Sequence, residues 1–270
     1  LIKIKMDVKI IILLIVSYII FRVIDYYIYT KKSVFVKLIN KWKDNETLVK
    51  YNNKHTAYLL MQELGIRTAE LYYNGNYDDL DPDFVERKHY VIKPLYGHSR
   101  YNVFLMSDGI NLLSGKRVDI DCFNKIFKNR LVRVEEFLTD ENGEYNVPSD
   151  YKIFVFNGKA EIVLQHTYEN SYNYKNTFDL DYNRIVPIKL FQDTRNKKYY
   201  KPKYFDELIR QVEYIGNQKF KNMFLRLDFY IDKDGPVFGE ITPHPAAGGG
   251  YTEKGLELLD SLCVKHNLVK

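Results

Sequence analysis

Residues 224–242, FLRLDFYIDKDGPVFGEIT, admit few folded forms: two alternating runs flank the turn residues DKDGP, the pattern of an antiparallel hairpin. Successive side chains of a strand point to opposite faces, so Leu225, Leu227, Phe229 and Ile231 fall on one side and Arg226, Asp228 and Tyr230 on the other. With Ile231 paired to Val237, Asp228 lies directly opposite Glu240. Like charges facing each other destabilise a sheet unless a cation sits between them. A hard Mg2+ ion is one answer, since it takes one or two carboxylates and completes its shell with phosphate oxygens and water. A solvated face with a surface salt bridge from Arg226 is the other.

The rest of the chain alternates strands and helices. A second hairpin is written in DYKIFVFNGKAEIVLQ, around the Asn157-Gly158 pair that suits a tight I′ turn, and it puts Lys152 on one face with Phe154 and Phe156. Residues 90–93 read as a short strand ended by Pro94. Helical spacing places Ala57, Leu60, Met61 and Leu64 on one face of residues 52–64, with Gly65 as the stop. Phe205, Leu208, Val212 and Ile215 do the same for residues 205–215, and residues 252–266 close the chain as a helix. The fold class expected is α/β (α+β), in two lobes.

At 270 residues the chain is long enough to bury a sizeable core, and 46% hydrophobic with 28% charged residues excludes disorder as a description of the whole. Two cysteines, Cys122 and Cys263, give no disulfide framework and no CxxC pair, which argues for a reducing compartment and against a structural zinc site. The net charge of +5 comes from well-mixed signs, so it favours acidic partners only mildly and does not make a nucleic-acid binder.

Before Lys32 lies an apolar run, residues 10–21, with Lys3, Lys5 and Lys9 ahead of it and Lys31 and Lys32 behind. A span needs about 20 apolar residues, a length reached here only by including Arg22 and Asp25. The run is therefore a marginal span. It is read as a hydrophobic N-terminal helix and membrane anchor over residues 1–32, with association through residues 10–29; no small-residue cleavage site follows it. Leu1 stands where an initiator Met is expected, which suggests an unusual start or a fragment, with Met6 as an alternative start.

Five strings taken in series, NNKHTAYLLMQELGI, HYVIKPLYGHSRYNV, LVRVEEFL, SDYKIFVFNGKAEIVLQ and RLDFYIDKDGPVFGEITPHPAAGGG, resemble the ATP-grasp superfamily, and within it the TupA-like group of cell-surface polymer synthesis. The resemblance implies an ATP-grasp fold over residues 33–270, two lobes clasping ATP with Mg2+. It makes Lys54 and Lys93 ligands of the nucleotide phosphates, as ammonium point charges suit. It lays a loop with Gly97, Ser99 and Arg100 over those phosphates, although a second glycine common in the superfamily is missing. Glu135 and the backbone of Phe137 and Leu138 take the adenine edge, and Asp140, Glu141 and Glu144 are the candidates for the ribose. Asp228 and Glu240 bind the metal with Thr242, which stands where most ATP-grasp ligases carry asparagine. Lys152 and Arg226 serve catalysis. The glycines of residues 248–250 allow close approach of an acceptor, and His244 is either a general base or structural.

The activity implied is an ATP- and Mg2+-dependent carboxylate–amine ligase working through an acyl-phosphate, in cell-surface glycan or glycopeptide synthesis, on a small-molecule or glycan acceptor. The alternatives are a kinase that stops at phosphoryl transfer to a glycan or protein hydroxyl, and an inactive membrane-associated nucleotide-binding scaffold. The location expected is membrane-anchored with a cytoplasmic catalytic domain, or cytoplasmic.

Overall fold

Strand alternation builds two antiparallel sheets, and helices cover them where the alternating residues are apolar. The computed structural model describes residues 8–96, 101–169, 172–190, 192 and 199–269. In chain order these form α1 (Val8–Lys32), α2 (Val34–Lys41), α3 (Glu46–Asn52), α4 (Lys54–Glu63), β1 (Leu71–Asn76), β2 (His89–Pro94), β3 (Phe104–Ser107), β4 (Ile110–Asn111) and β5 (Lys116–Arg117). There follow α5 (Ile120–Phe127), β6 (Leu131–Glu135), β7 (Asp150–Phe156), β8 (Lys159–Glu169), β9 (Tyr172–Phe178), α6 (Phe205–Lys219), β10 (Phe224–Asp232), β11 (Gly235–Thr242) and α7 (Glu253–Lys265).

The smaller lobe is a six-stranded sheet in the order β1-β6-β2-β3-β4-β5. Phe123 and Phe127 of α5 pack on Ile92, Phe104, Val132 and Val134 to make its core. The larger lobe is a five-stranded sheet in the order β11-β10-β7-β8-β9. One of its faces carries Tyr151, Ile153, Val155, Leu225, Leu227 and Phe229 and is buried with residues of α4 and α6. The other face is divided. Phe154, Phe156, Ile162, Leu164 and Phe224 lie with residues of α2 and α7, whereas farther along the same strands the inward positions become Asp150, Lys152, Arg226 and Asp228.

Local chemistry sets the boundaries. The Asn53 side chain accepts hydrogen bonds from the backbone N–H groups of His55 and Thr56, so α4 starts at Lys54 rather than at residue 52 as the spacing suggests. At its other end Gly65 takes φ +69°, and Ile66 N–H closes on the Met61 carbonyl at 2.8 Å, so the expected stop is a Schellman turn. Asn157 and Gly158, at φ +50° and +77°, make the hairpin turn between β7 and β8. All four apolar positions assigned to the helix after residue 205 are buried in α6.

The N-terminal expectation is met only as far as the helix. Helix α1 forms, but among the described residues no helix is long and apolar enough to cross a membrane. Arg22 and Asp25 interrupt the apolar run, and tyrosines occupy positions 26, 27 and 29 beyond it. The side chains of Ile15, Val16, Ile19, Ile20, Phe21, Val23 and Ile24 are exposed.

Phe224 shows how tightly the divided face is packed: it is fully buried, with ring centroids 4.8 Å from Phe35 and 4.9 Å from Phe156. Phe224→Ala is expected to lower the unfolding free energy by about 3–5 kcal/mol. A urea titration read by circular dichroism measures this, and a loss under about 1 kcal/mol would show that the site collapses around the gap.

Candidate active site

Asp228 and Glu240 are indeed directly opposite, but by a different route from simple pairing. Ile231 pairs with Pro236 and Tyr230 with Val237, one residue out of the expected register, and a bulge between Asp228 and Phe229 restores Asp228 to Glu240. Gly239 is the residue that the bulge absorbs. A Cβ there would stand 3.0 Å from the Asp228 carbonyl oxygen and 3.2 Å from the Tyr230 ring, so glycine permits the slip that aims the carboxylates together.

The cation between them is Arg226. Its Nε donates to Asp228 Oδ1 at 2.6 Å, and its Nη2 reaches Asp228 Oδ2 at 2.6 Å, Thr242 Oγ1 at 3.0 Å and Glu240 Oε1 at 3.4 Å. Lys152 Nζ adds bonds of 2.6 Å to Asp228 and 2.7 Å to Asp150. Burial raises the Asp228 carboxyl, but Arg226 and Lys152 outweigh it and hold the group well below the ordinary carboxylate range. Asp150, which is buried, and Glu240, whose side chain keeps 42% exposure, go the other way, pushed up by desolvation and by the nearby Asp228 charge. Asp150 was missed in the sequence, although DYK places it two residues from Lys152 and hence on the same strand face.

The smaller sheet faces this cluster with cations. Lys93 and Arg133 are paired across β2 and β6. Both hold the buried Glu135: Lys93 ion-pairs with Oε1, and Arg133 Nε donates to Oε2 at 2.6 Å. Burial raises the Glu135 carboxyl, and the two cations more than reverse this. The Arg133 guanidinium also lies 3.9 Å from the Tyr58 ring centroid, and neither residue was singled out in the sequence. Lys54, the first residue of α4, makes no ion pair among the described residues; burial and Lys93 lower its pKa, while Glu240 and Glu135 raise it.

Other expected site residues fall around this core. Phe137 and Leu138 are buried where the chain passes between the sheets, Leu138 packing with Ala69 and Val237. Asp140 is engaged in its own turn, its Oδ1 accepting from the N–H groups of Asn142 and Glu144, and Glu144 accepts from the Asn146 amide. Asp140 and Glu141 line a cavity of about 630 Å3 with Ser149, Tyr151 and Thr167. His244 is lowered by burial and sits within hydrogen-bonding range of the Ile39 and Trp42 backbone, beside α2. Gly248 has φ +78°, and a Cβ on it would meet Val36 at 3.2 Å, so this glycine serves packing under α2. Gly97, Ser99 and Arg100 lie outside the described residues.

Lys93 and Arg133 on the smaller sheet and Asp228 and Glu240 on the larger carry opposite charges, the complement of a polyanion with a divalent cation. The chain belongs to the TupA-like ATP-grasp family, whose sequence model matches residues 32–259. ATP and Mg2+ are that family's cofactors. Among solved structures, the chain is similar to the ATP-grasp ligase PsnB complexed with its minimal precursor, at 13% identity and TM-score 0.47 over 82% of this chain and 64% of that one. It also resembles D-alanine–D-alanine ligase from Bacillus anthracis, at 15% identity and TM-score 0.49 over 81% of this chain and 68% of that one. A third is the ADP complex of N5-carboxyaminoimidazole ribonucleotide synthetase, at 13% identity and TM-score 0.49 over 72% of this chain and 45% of that one. The chain thus spans less than two thirds of the length of PsnB and of the synthetase. No curated protein matches it in sequence.

The residues present fit both cofactors. Arg133 Nη1 is buried without a hydrogen-bond partner beside Lys93, a surplus of donors suited to phosphate oxygens. Asp228, Glu240 and Thr242 already converge on one cationic centre, the Arg226 guanidinium.

The two carboxylates respond oppositely to acid. A depressed carboxyl stabilises the native state above its unfolded value of about 3.9, and that contribution is lost as pH falls through the folded value. For Asp228 the folded value is about 2. A raised carboxyl such as Glu240 costs stability once pH rises past its unfolded value of about 4.3. At neutral pH, Asp228→Asn is therefore expected to lower the urea midpoint and Glu240→Gln not to lower it. The Asp228→Asn deficit should shrink toward pH of about 2. Equal losses for both variants would contradict the opposite shifts.

Proposed function

We propose that this protein is a ligase that joins a carboxylate to an amine or similar nucleophile through an acyl-phosphate, in assembly of a cell-surface glycan or glycopeptide. The observation that carries the reading is that Lys93 and Arg133 of the smaller sheet and Asp228 and Glu240 of the larger one both lie near Lys54, at the start of α4. When bound, ATP supplies the activating phosphoryl group and Mg2+ neutralises its charge. Lys54 and Lys93 bind phosphate oxygens, and Glu135 fixes the Lys93 ammonium in place. Asp228, Glu240 and Thr242 hold the metal, which requires the Arg226 guanidinium to withdraw from Glu240 toward the substrate. Arg226 and Lys152 then stabilise charge developing on the transferred group. The backbone of Phe137 and Leu138 takes the adenine edge, Glu141 is the ribose candidate whose carboxylate is not engaged in its own turn, and Gly97 and Ser99 belong to the loop over the phosphates.

Release of ADP in the presence of candidate amino acids and sugar acids, with the product mass, tests the reaction. An amide-forming mass gain is expected; a phosphate mass gain identifies a kinase instead, and nucleotide binding without turnover identifies a scaffold. Glu240→Gln should cut turnover by about 100-fold or more, the scale of losing a group that stabilises transferring charge. Lys93→Met should weaken ATP binding by about tenfold or more, since a hydrogen bond to a charged group contributes about 1.5–3 kcal/mol. Unchanged affinity in that variant would remove Lys93 from the site.

For the N-terminal segment, residues 1–32, we propose attachment to a lipid surface, supported by the exposed apolar side chains of α1 and the lysines at its end. The full chain should sediment with membranes, whereas a chain starting at Ser33 should not. Equal behaviour of the two without detergent would discard the attachment.

A further inference from the structure

A second group of cations lies beyond the metal end of the larger sheet and takes no part in the chemistry above. Lys189 follows β9, and its backbone bridges to Tyr251 just before α7. Leu190 N–H donates to the Gly250 carbonyl at 3.0 Å, so this segment is stitched to the loop that leaves the carboxylate-bearing strand β11. The Lys189 ammonium rests over the Tyr251 ring, 3.2 Å from its centroid, and donates to the Gly249 carbonyl at 3.4 Å. Tyr251 is itself fully buried, with its hydroxyl donating to the Pro245 carbonyl at 3.1 Å. The ring is a fixed platform, and the amine on it is held rather than waving in solvent.

Among the described residues, what this amine lacks is an anion. Among the described residues no carboxylate pairs with Lys189 or with Lys175, although Lys175, on β9, and Arg226 both act on Lys189 electrostatically. The Arg226 charge is already taken up by Asp228 and Glu240. Burial, together with Arg226 and Lys175, pushes the Lys189 amine down to about 7. A half-buried amine that loses part of its charge for want of a counter-ion is unfavourable as a purely structural element, because a neutral residue on the same ring would cost nothing in desolvation. A bound anion reverses that balance.

We propose that Lys189, set on Tyr251 beside the 248–250 loop, holds a carboxylate of the acceptor substrate, so that the acceptor carries an acid group in addition to the group that reacts. The assignment rests on the ligase reading, since it places this subsite at the acceptor end of the same cleft. It names a specificity residue rather than a participant in the phosphoryl step: the metal end and the phosphate-facing lysines stay as they are when Lys189 changes.

The test uses the full chain loaded with Mg2+ and a non-hydrolysable ATP analogue, with L-glutamate and D-glucuronate as carboxylate probes and D-glucose as the uncharged control. Amine acetylation followed by peptide mass spectrometry should find Lys189 protected by at least one of the acids and not by glucose. Calorimetry should find that acid bound about tenfold or more weakly by Lys189→Met, the size of one charged hydrogen bond, with binding largely restored in Lys189→Arg. Affinity for the ATP analogue should be the same in all three proteins. Equal probe affinity in wild type and Lys189→Met overturns the proposal, as does failure of both acids to bind or protect the wild type. Failure of the wild type to bind the ATP analogue is a separate result that overturns the ligase reading instead.

Discussion

The buried Asp228 carboxylate, clamped between Arg226 and Lys152, is the interaction on which the larger lobe is organised. An isolated charge at such a depth costs several kcal/mol to desolvate, and removing one partner of a buried pair is correspondingly damaging. Here the Arg226 fork supplies two short bonds and Lys152 a third, so both oxygens are satisfied. The three residues sit on adjacent strands β7 and β10, and the clamp can close only in one register. A one-residue slip would send each of these charges to the face that packs with α4 and α6.

That clamp also explains why one face of a single sheet serves two purposes. Along β10 the inward positions run Phe224, Arg226, Asp228, and along β7 they run Phe156, Phe154, Lys152, Asp150. The aromatic half is buried with α2 and α7, where burial is driven by apolar area. The charged half is left for the smaller sheet, which answers with Lys93 and Arg133, while Lys54 opens α4 on the larger lobe. The lobes are tied near this junction by Arg67, which makes two 2.7 Å bonds to Asp232. A Thr68 bridge to Phe238 lies beside it. Charges of opposite sign thus face each other across a cleft whose walls are set by aromatic packing behind them.

Several of these features were legible in residue order. The β10–β11 alternation, the Asn157-Gly158 turn, the apolar faces of α4 and α6 and the Asp228–Glu240 opposition all depend on short-range geometry, which a period of 2.0 or 3.6 encodes directly. Arg133, Tyr58 and Lys189 were not legible. Each acquires its chemistry from a partner far away in the chain: Arg133 from Lys93 and Tyr58, Lys189 from Gly249 and Tyr251. Helix α1 is a different case, because its apolar character is plain in the sequence while Arg22 and Asp25 decide how much of it counts.

By itself, the sequence determined which faces are apolar, where the turns fall and that two carboxylates face each other, with a metal ion or Arg226 to answer them. Tertiary structure alone decided that the Arg226 guanidinium lies between them and how the register reaches it. The Gly239 bulge slips β11 by one residue, and the pairing of β7 with β10 brings Lys152 and Asp150 to the same carboxylate. The physical reason is range: side-chain alternation is a property of neighbouring residues, whereas the balance of buried charges is set by every strand and loop that the fold brings within a few ångströms.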